Sequence, residues 1–127
     1  RIHGKEFVND AAARSINATW YTLENTEGGI IWIAMGGNNH VDYSPLRSVA
    51  LRKVRMLLCV GDDTRHLHES FRGIIPNIVD ADSIGTAVHK ACYSNLDKSK
   101  VVFSPAIDGF LAADQAGEVF RHEVNEL

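Results

Sequence analysis

The chain of 127 residues is 45% hydrophobic and 23% charged, with a formal net charge of -3 and a pI near 6.0. This length suits a single compact domain over residues 1–127, and the mild negative charge gives no field that would attract nucleic acid or an anionic membrane. No apolar run reaches the roughly 20 residues of a membrane span, so we expect a soluble, cytoplasmic protein.

Five short apolar runs predict strands. They are mostly continuous rather than alternating, which is typical of strands covered on both faces. The runs occupy residues 6–8, 30–35, 54–60, 77–80 and 100–105.

Helical patterns separate these runs. The clearest follows Asp82-Ser83 and puts six apolar residues on one stripe, namely Ile84, Ala87, Val88, Ala91, Cys92 and Leu96. A helix with Ser44 as a capping hydroxyl ahead of Pro45 is predicted to end near Lys53. Three further helices are predicted from the apolar faces Ile16, Trp20 and Leu23, then Leu67 and Phe71, and finally Phe120, Val124 and Leu127.

Alternation of strands and helices predicts an α/β fold, a doubly wound and mostly parallel Rossmann-like sheet with helices on both faces. In such a sheet, ligands bind beyond the carboxyl ends of the strands. This selects four segments, residues 9–10, 36–44, 61–63 and 104–110, which we expect to line one edge. Cys59 and Cys92 lie in apolar patterns, so two buried thiols are expected rather than a disulfide.

Four stretches in this order carry a resemblance to a known family. They are "FVND" followed by "NATWYTLE", then "IIWIAMGGNNHVDYSPL", then "VRMLLCVGDD", then "VVFSPAIDGF". Together they resemble the C-terminal domain of the Mur ligases, ATP-dependent enzymes that add amino acids to the peptidoglycan precursor, and most of all the members that add D-glutamate. The chain begins at Arg1 and enters a strand almost at once, which suggests a segment of a longer protein.

The resemblance implies a nucleotide contact at the end of the first strand. Asp10, with Asn9 beside it, stands where the family has an acidic residue that contacts the ATP ribose, although both residues could simply cap a turn. The family continues with a lysine where this chain has Ala12. Arg14 can replace the charge of that lysine but not its placement.

The resemblance also implies substrate contacts on two other loops. Asn38 and His40 stand where the family has an acidic residue and a lysine that helps to hold the incoming glutamate, and a mostly neutral histidine is a poor substitute. Ser104 is retained in "SPA", but relative to the family three residues are missing after it, so that Phe110 follows closely. The expected substrate contacts are therefore His40, Asn38, Ser104, Phe110 and Arg14.

Metal and catalytic residues are not predicted. His66 and His68 are two residues apart, which on a helix points them to different faces, whereas a helical zinc pair needs a spacing of three or four. Asp62 and Asp63 are interpreted as caps of the next helix rather than as a carboxylate pair.

By resemblance, the parent enzyme uses ATP and Mg²⁺ to form an acyl phosphate that D-glutamate attacks. The phosphate loop and the precursor site belong to the preceding domains of the parent chain, which are the expected partners. This fragment of a peptide ligase is therefore expected to be inactive alone and to bind D-glutamate and nucleotide weakly if at all. One alternative is a ligase-like domain whose active site has been lost, or stripped by engineering, and which acts as a binding or structural module. Another is a stand-alone nucleotide-binding α/β domain, which the lack of a glycine-rich loop after the first strand disfavours.

Overall fold

A computed structural model describes residues 2–108 and 111–127. Its five strands are β1 (Glu6–Asn9), β2 (Ile30–Met35), β3 (Val54–Val60), β4 (Ile78–Ala81) and β5 (Lys100–Phe103). Its helices are α1 (Ile16–Asn25), α2 (Arg47–Lys53), α3 (Arg65–Phe71), α4 (Ile84–Cys92) and α5 (Ala113–Asn125), and a short 3₁₀ turn, Ser44–Leu46, leads into α2.

The strands form one sheet in the order β1-β5-β2-β3-β4, and every pairing is parallel. The central strand β2 is fully buried along all six residues, as its unbroken apolar sequence predicts. The α/β class and the doubly wound parallel sheet predicted from the sequence are confirmed.

Helices cover both faces of the sheet. Trp32 of β2 packs edge-on against Phe71 of α3, with ring centroids 5.3 Å apart. Val102 of β5 pairs directly with Trp32, so the next residue, Phe103, points to the other face of the sheet. There it stacks on Phe120 of α5, with ring centroids 5.2 Å apart. Because side chains alternate along a strand, these contacts place α3 and α5 on opposite faces. The chain turns back after β4, so α4 lies beside α5 rather than beside α3.

Several details differ from the sequence predictions. Trp20 is predicted on the buried face of α1 but is 42% exposed, because α1 buries Thr19 in its place together with the predicted Leu23. Leu96 lies beyond the end of α4, where it packs partly buried against the core. Ser44 is the first residue of the 3₁₀ turn rather than its cap, and its backbone N–H donates to the Asp42 carboxylate.

Other expectations are met. The helix that follows Pro45 ends at Lys53, and both cysteines are free and buried. None of the helices within residues 2–108 and 111–127 is long and apolar enough to cross a bilayer.

Candidate functional site

Asp10 lies just beyond β1, at the carboxyl edge of the sheet, and its carboxylate is held from behind. Ser104 Oγ donates to Asp10 Oδ2 at 2.9 Å, and Thr19 Oγ1 lies 2.7 Å from Ser104 Oγ. Because the single Ser104 proton goes to the carboxylate, Thr19 is the donor to Ser104. Asp10 itself is partly exposed, so this chain of hydroxyls fixes a carboxylate that a ligand can reach.

Ser104 is completely buried and is held by its backbone as well. Its N–H donates to the carbonyl of Ile33, and its own carbonyl accepts from Trp32 Nε1 at 2.8 Å. In this arrangement Ser104 positions Asp10 and presents no surface to a ligand. The expected substrate contact of Ser104 stays a prediction that would need the β5 loop to move.

Asn9 has a local structural role. Its Oδ1 accepts from the N–H of Ala11 at 3.3 Å, which is the turn that the alternative interpretation describes. Its Nδ2 donates to the carbonyl of Gly117 in α5 at 3.0 Å. Asn9 therefore ties the end of β1 to α5, while the neighbouring Asp10 faces the rim.

Arg14 lies under the loop that follows β5. Its side chain is 13% exposed, and Nε lies 3.3 Å from Asp108 Oδ1, which is 93% exposed. The geometry of that ion pair is not that of a hydrogen bond, so among the described residues Nε and Nη1 of this guanidinium are buried without a hydrogen-bond partner. Buried donors of this kind are costly unless an acceptor reaches them. Arg14 is therefore suited to an anion that enters beside Asp108.

The backbone of this same loop is strained at Ala106, which has a φ of +71°. The N–H of Ala106 donates to the carbonyl of Ala13 at 2.9 Å, so the loop is tied to the segment that carries Arg14. A non-glycine residue in this region costs free energy and persists only where the surroundings enforce it.

The tips of β2 and β3 form the other part of the edge. A cavity of about 280 Å³ opens there, lined by Gly36, Gly37, Asn38, Gly61, Asp62, Asp63, Ile107 and Asp108. Gly36 is required for close approach, because a Cβ at this position would lie 2.7 Å from the backbone oxygen of Asp63. Gly36 N–H also donates to Val60 O, which fixes the two loops together.

The charged side chains that line this cavity are acidic. Its described lining contains three carboxylates and no cationic side chain. Hydrogen bonds from the Arg65 side chain, and then from Asn39, hold the pKa of Asp63 well below its usual range. Asp63 also accepts from the backbone N–H of Arg65 at 3.3 Å, but the N-cap of α3 is Thr64, not Asp62 or Asp63 as the sequence predicts. Arg65 offsets the charge of Asp63 and Arg14 offsets that of Asp108, so the remaining negative charge is small, but it still favours an ammonium group over a phosphate.

Asn38 and His40 lie in the exposed loop after β2. Asn38 lines the cavity, and its Oδ1 accepts from the backbone N–H of His40 at 2.9 Å. The structure therefore brings Asn38 and His40 together, on a different part of the edge from Asp10 and Ser104. Phe110, the remaining predicted contact, lies outside the described residues.

These groups fit one part of a nucleotide. A fixed, partly exposed carboxylate at Asp10 suits the vicinal hydroxyls of a ribose. A triphosphate needs cations and backbone donors, and the acidic cavity between β2 and β3 does not supply them. Mg²⁺ accompanies the phosphates, so it too would have to bind outside this cavity.

Sequence reasoning missed two supporting residues, Thr19 and Trp32. Thr19 stands inside the quoted "NATWYTLE" stretch, but a threonine on a helix face gives no sign that it reaches a strand end. Trp32 is one residue in a continuous apolar run. Both contact Ser104: the crossover of α1 over β5 brings Thr19 to it, and the pairing of β2 with β5 brings Trp32.

The chain is similar in sequence to several known proteins that share one name. The UDP-N-acetylmuramoylalanine–D-glutamate ligase of Porphyromonas gingivalis is 35% identical over 130 residues, covering 100% of this chain. The enzymes of the same name from Chlorobaculum tepidum and Solibacter usitatus are each 32% identical, over 98% and 100% of the chain. The chain spans only 27–29% of the length of these relatives. No protein-family model matches it.

Proposed function

We propose that this chain, which belongs to the Mur ligases as a C-terminal domain, serves an ATP-dependent ligase that adds D-glutamate to UDP-N-acetylmuramoyl-L-alanine in the cytoplasm. The observation that carries the proposal is similarity along the whole chain to ligases of that name, at 35% identity for the Porphyromonas gingivalis relative. The parallel sheet supports it, because the strands within the four segments that carry the resemblance all have their carboxyl ends at one edge.

In this proposal Asp10 is the nucleotide contact. Ser104 and Thr19 fix Asp10 Oδ2 in place, and the lone pairs of the carboxylate accept from the two ribose hydroxyls. ATP supplies the phosphoryl group that activates the precursor carboxylate, with Mg²⁺. The preceding domains of the parent chain bind the phosphates and the metal, and this domain closes over them.

The amino-acid substrate would lie nearer β2 and β3. The acidic cavity there attracts the ammonium group of D-glutamate, while Asn38 and His40 lie at its margin. Arg14 would bind a substrate carboxylate in place of Asp108, which relieves its unpaired buried donors. Ser104 and Phe110 are included in this proposal as substrate contacts; Ser104 is buried and would have to become exposed, and Phe110 lies outside the described residues.

A second candidate function is a binding or structural module that has lost the ligase site. The observation that favours it is at Ala12, which is exposed at the end of β1 where the resemblance places a lysine. Burial of Ser104 and the absence of cations from the described cavity lining point the same way. A ligase site needs several fixed positive charges to bind a substrate carboxylate together with the phosphoryl group that is transferred to it.

A chimeric enzyme separates these functions. This chain would replace the aligned 130 residues of the Porphyromonas gingivalis ligase, and ATP-dependent addition of D-glutamate would be measured beside a truncated enzyme that lacks the segment. We expect the chimera to be active and the truncated enzyme inactive. Ala12→Lys in the chimera should raise activity by about tenfold, since one charge–phosphate hydrogen bond is worth roughly that factor.

A folded chimera with no more activity than the truncated enzyme would contradict the ligase proposal and support the module. Ser48→Lys serves as the matched control for added charge, because Ser48 is exposed on α2, a helix that carries none of the proposed contacts. An equal gain from both lysines would show that the effect is not specific to the site.

A further inference from the structure

Three side chains of metal-binding type meet on the α3 side of the sheet, beside the edge described above. They are Cys59 of β3, His68 of α3 and Asp80 of β4, and one ligand atom from each lies within 4.8 Å of the other two. Neither the ligase function nor the nucleotide contact at Asp10 uses them. We refer to the three as the Cys-His-Asp cluster.

The sheet register accounts for this arrangement. Cys59 and Asp80 are direct partners in the parallel pairing of β3 with β4, so their side chains share one face. Helix α3 covers that face, and His68 Nε2 lies 2.7 Å from Asp80 Oδ1. The three ligands therefore come from three separate elements, which explains why the spacing of His66 and His68 gave no indication of a site.

The donor set selects a class of metal. A thiolate, an imidazole and a carboxylate together suit Zn²⁺ and related borderline ions, whereas Mg²⁺ and Ca²⁺ prefer oxygen alone. Zinc bonds of about 2.0–2.3 Å would hold the ligand atoms roughly 3–4 Å apart. Closing the cluster from its present separations therefore needs movements of only about 1 Å.

The surroundings leave room for a fourth ligand. A cavity of about 340 Å³ adjoins the cluster, lined by Thr64, Arg65, His68, Glu69, Arg72 and Asp80. It gives a metal a route from solvent and space for a bound water. Thr64 Oγ1 donates to Asp80 Oδ1 at 2.7 Å and orients the carboxylate. Arg65 and Arg72 oppose a cation here, while Glu69 favours one.

Without metal, the cluster is held by hydrogen bonds. Hydrogen bonds to the Asp80 carboxylate lower its pKa and keep it ionised; the bond from His68 has the larger effect and the bond from Thr64 the smaller. Burial raises the pKa of Cys59 to about 12, so that this residue is a neutral thiol. Binding of a metal would transfer the thiol proton to solvent and leave sulfur as a thiolate ligand.

We propose that Cys59, His68 and Asp80 bind one Zn²⁺ ion, with a water molecule from the adjoining cavity as the fourth ligand. Such an ion would join β3, β4 and α3 at a single point. Because its fourth ligand is water, the site differs from a closed four-residue zinc site in keeping an exchangeable position.

Cobalt titration of the 127-residue chain tests this proposal. The protein would be stripped with a chelator, reduced and titrated with Co²⁺, and then Zn²⁺ would be added to displace the cobalt. We expect saturation at one ion per chain, with a near-ultraviolet sulfur-to-cobalt absorption band that zinc abolishes. Loss of this band in Cys59→Ala, and its retention in the matched Cys92→Ala variant, would identify the sulfur, since Cys92 is also buried and free.

The other ligands have matched controls too. We expect His68→Gln and Asp80→Asn each to weaken Co²⁺ binding at least tenfold, while His89→Gln, on the exposed side of α4, leaves it unchanged. Melting curves without metal show which variants fold, and if Cys59→Ala fails to fold then His68→Gln decides. Lack of the sulfur band in the wild-type chain, or its survival in folded Cys59→Ala, would overturn the proposal.

Discussion

The two parts of the carboxyl edge are built in different ways. At the tips of β1 and β5, Asp10 is held by a buried chain of hydroxyls from Ser104 and Thr19. At the tips of β2 and β3, exposed loops surround an acidic cavity, and only glycine allows their backbones to meet. The first part has a geometry fixed before any ligand binds, whereas the second depends on backbone fit and on charges that solvent screens.

This difference shows what a scaffold can retain when site residues change. The buried hydroxyls of Ser104 and Thr19 also complete hydrogen bonds inside the fold, so their loss would cost stability whether or not a nucleotide binds. Exposed positions such as Ala12 and His40 carry no such constraint. A domain can therefore keep the geometry of Asp10 while the cations around it are lost.

The largest effect is expected from Gly36→Ala, which tests whether backbone fit holds the β2 and β3 tips together. The new Cβ would lie 2.7 Å from Asp63 O, a backbone atom that cannot easily move. We expect a loss of about 1–3 kcal/mol in the free energy of unfolding, measured by urea denaturation. Gly85→Ala is the control, because its nearest contact is the flexible Glu123 carboxylate at 2.9 Å. Equal losses in both variants would contradict the account.

Ser104→Ala tests the buried hydroxyl chain. The change removes the donor to Asp10 and leaves the Thr19 hydroxyl with only the distant carbonyl of Ala13, at 3.5 Å, as an acceptor. Asp10 is partly exposed and can recruit water, so we expect a loss of about 1–2 kcal/mol in the free energy of unfolding. Ser48→Ala, on the exposed face of α2, should change it by less than about 0.5 kcal/mol. If Ser104→Ala were as mild, the carboxylate would not be fixed as described.

A pair of glycine substitutions tests the strain beneath the β5 loop. Ala106 and Ala13 are both buried, but only Ala106 has a positive φ. Ala13→Gly should destabilise the fold by about 1–2 kcal/mol through chain entropy and the lost methyl group. In Ala106→Gly, relief of strain should offset these costs to within about 0.5 kcal/mol. Thermal or urea unfolding gives both values, and equal losses would argue against strain.

The smallest effect concerns Asp63, whose pKa is lowered by hydrogen bonds from Arg65 and Asn39. A carboxyl group with a lowered folded pKa stabilises the fold above its unfolded value, near 3.9, and loses that contribution as pH falls toward the folded value. Asp63→Asn should therefore lower stability slightly at pH 7 and flatten its decline in acid. Melting temperatures between neutral and acidic pH would show this, and parallel curves would contradict it.

The sequence predicts the sheet well because continuous apolar runs and amphipathic stripes report burial directly. It predicts the loop positions of Asp10 and Asn38 because strand ends in a parallel sheet share one edge. It does not predict the partners of Ser104, since Thr19 and Trp32 reach that residue only through the strand order. Contacts between distant segments, like those of the Cys-His-Asp cluster, leave no periodic signal.

Binding of nucleotide at Asp10 is the central claim, and amide NMR of the ¹⁵N-labelled chain tests it most directly. Titration with ATP to millimolar concentration should shift the amides of Asp10 and Ala11, and the response should vanish in Asp10→Ala but persist in Asp42→Ala, which removes an exposed carboxylate elsewhere on the edge. Unmoved Asp10 and Ala11 amides in the folded wild-type chain, or unchanged shifts in Asp10→Ala, would contradict the account.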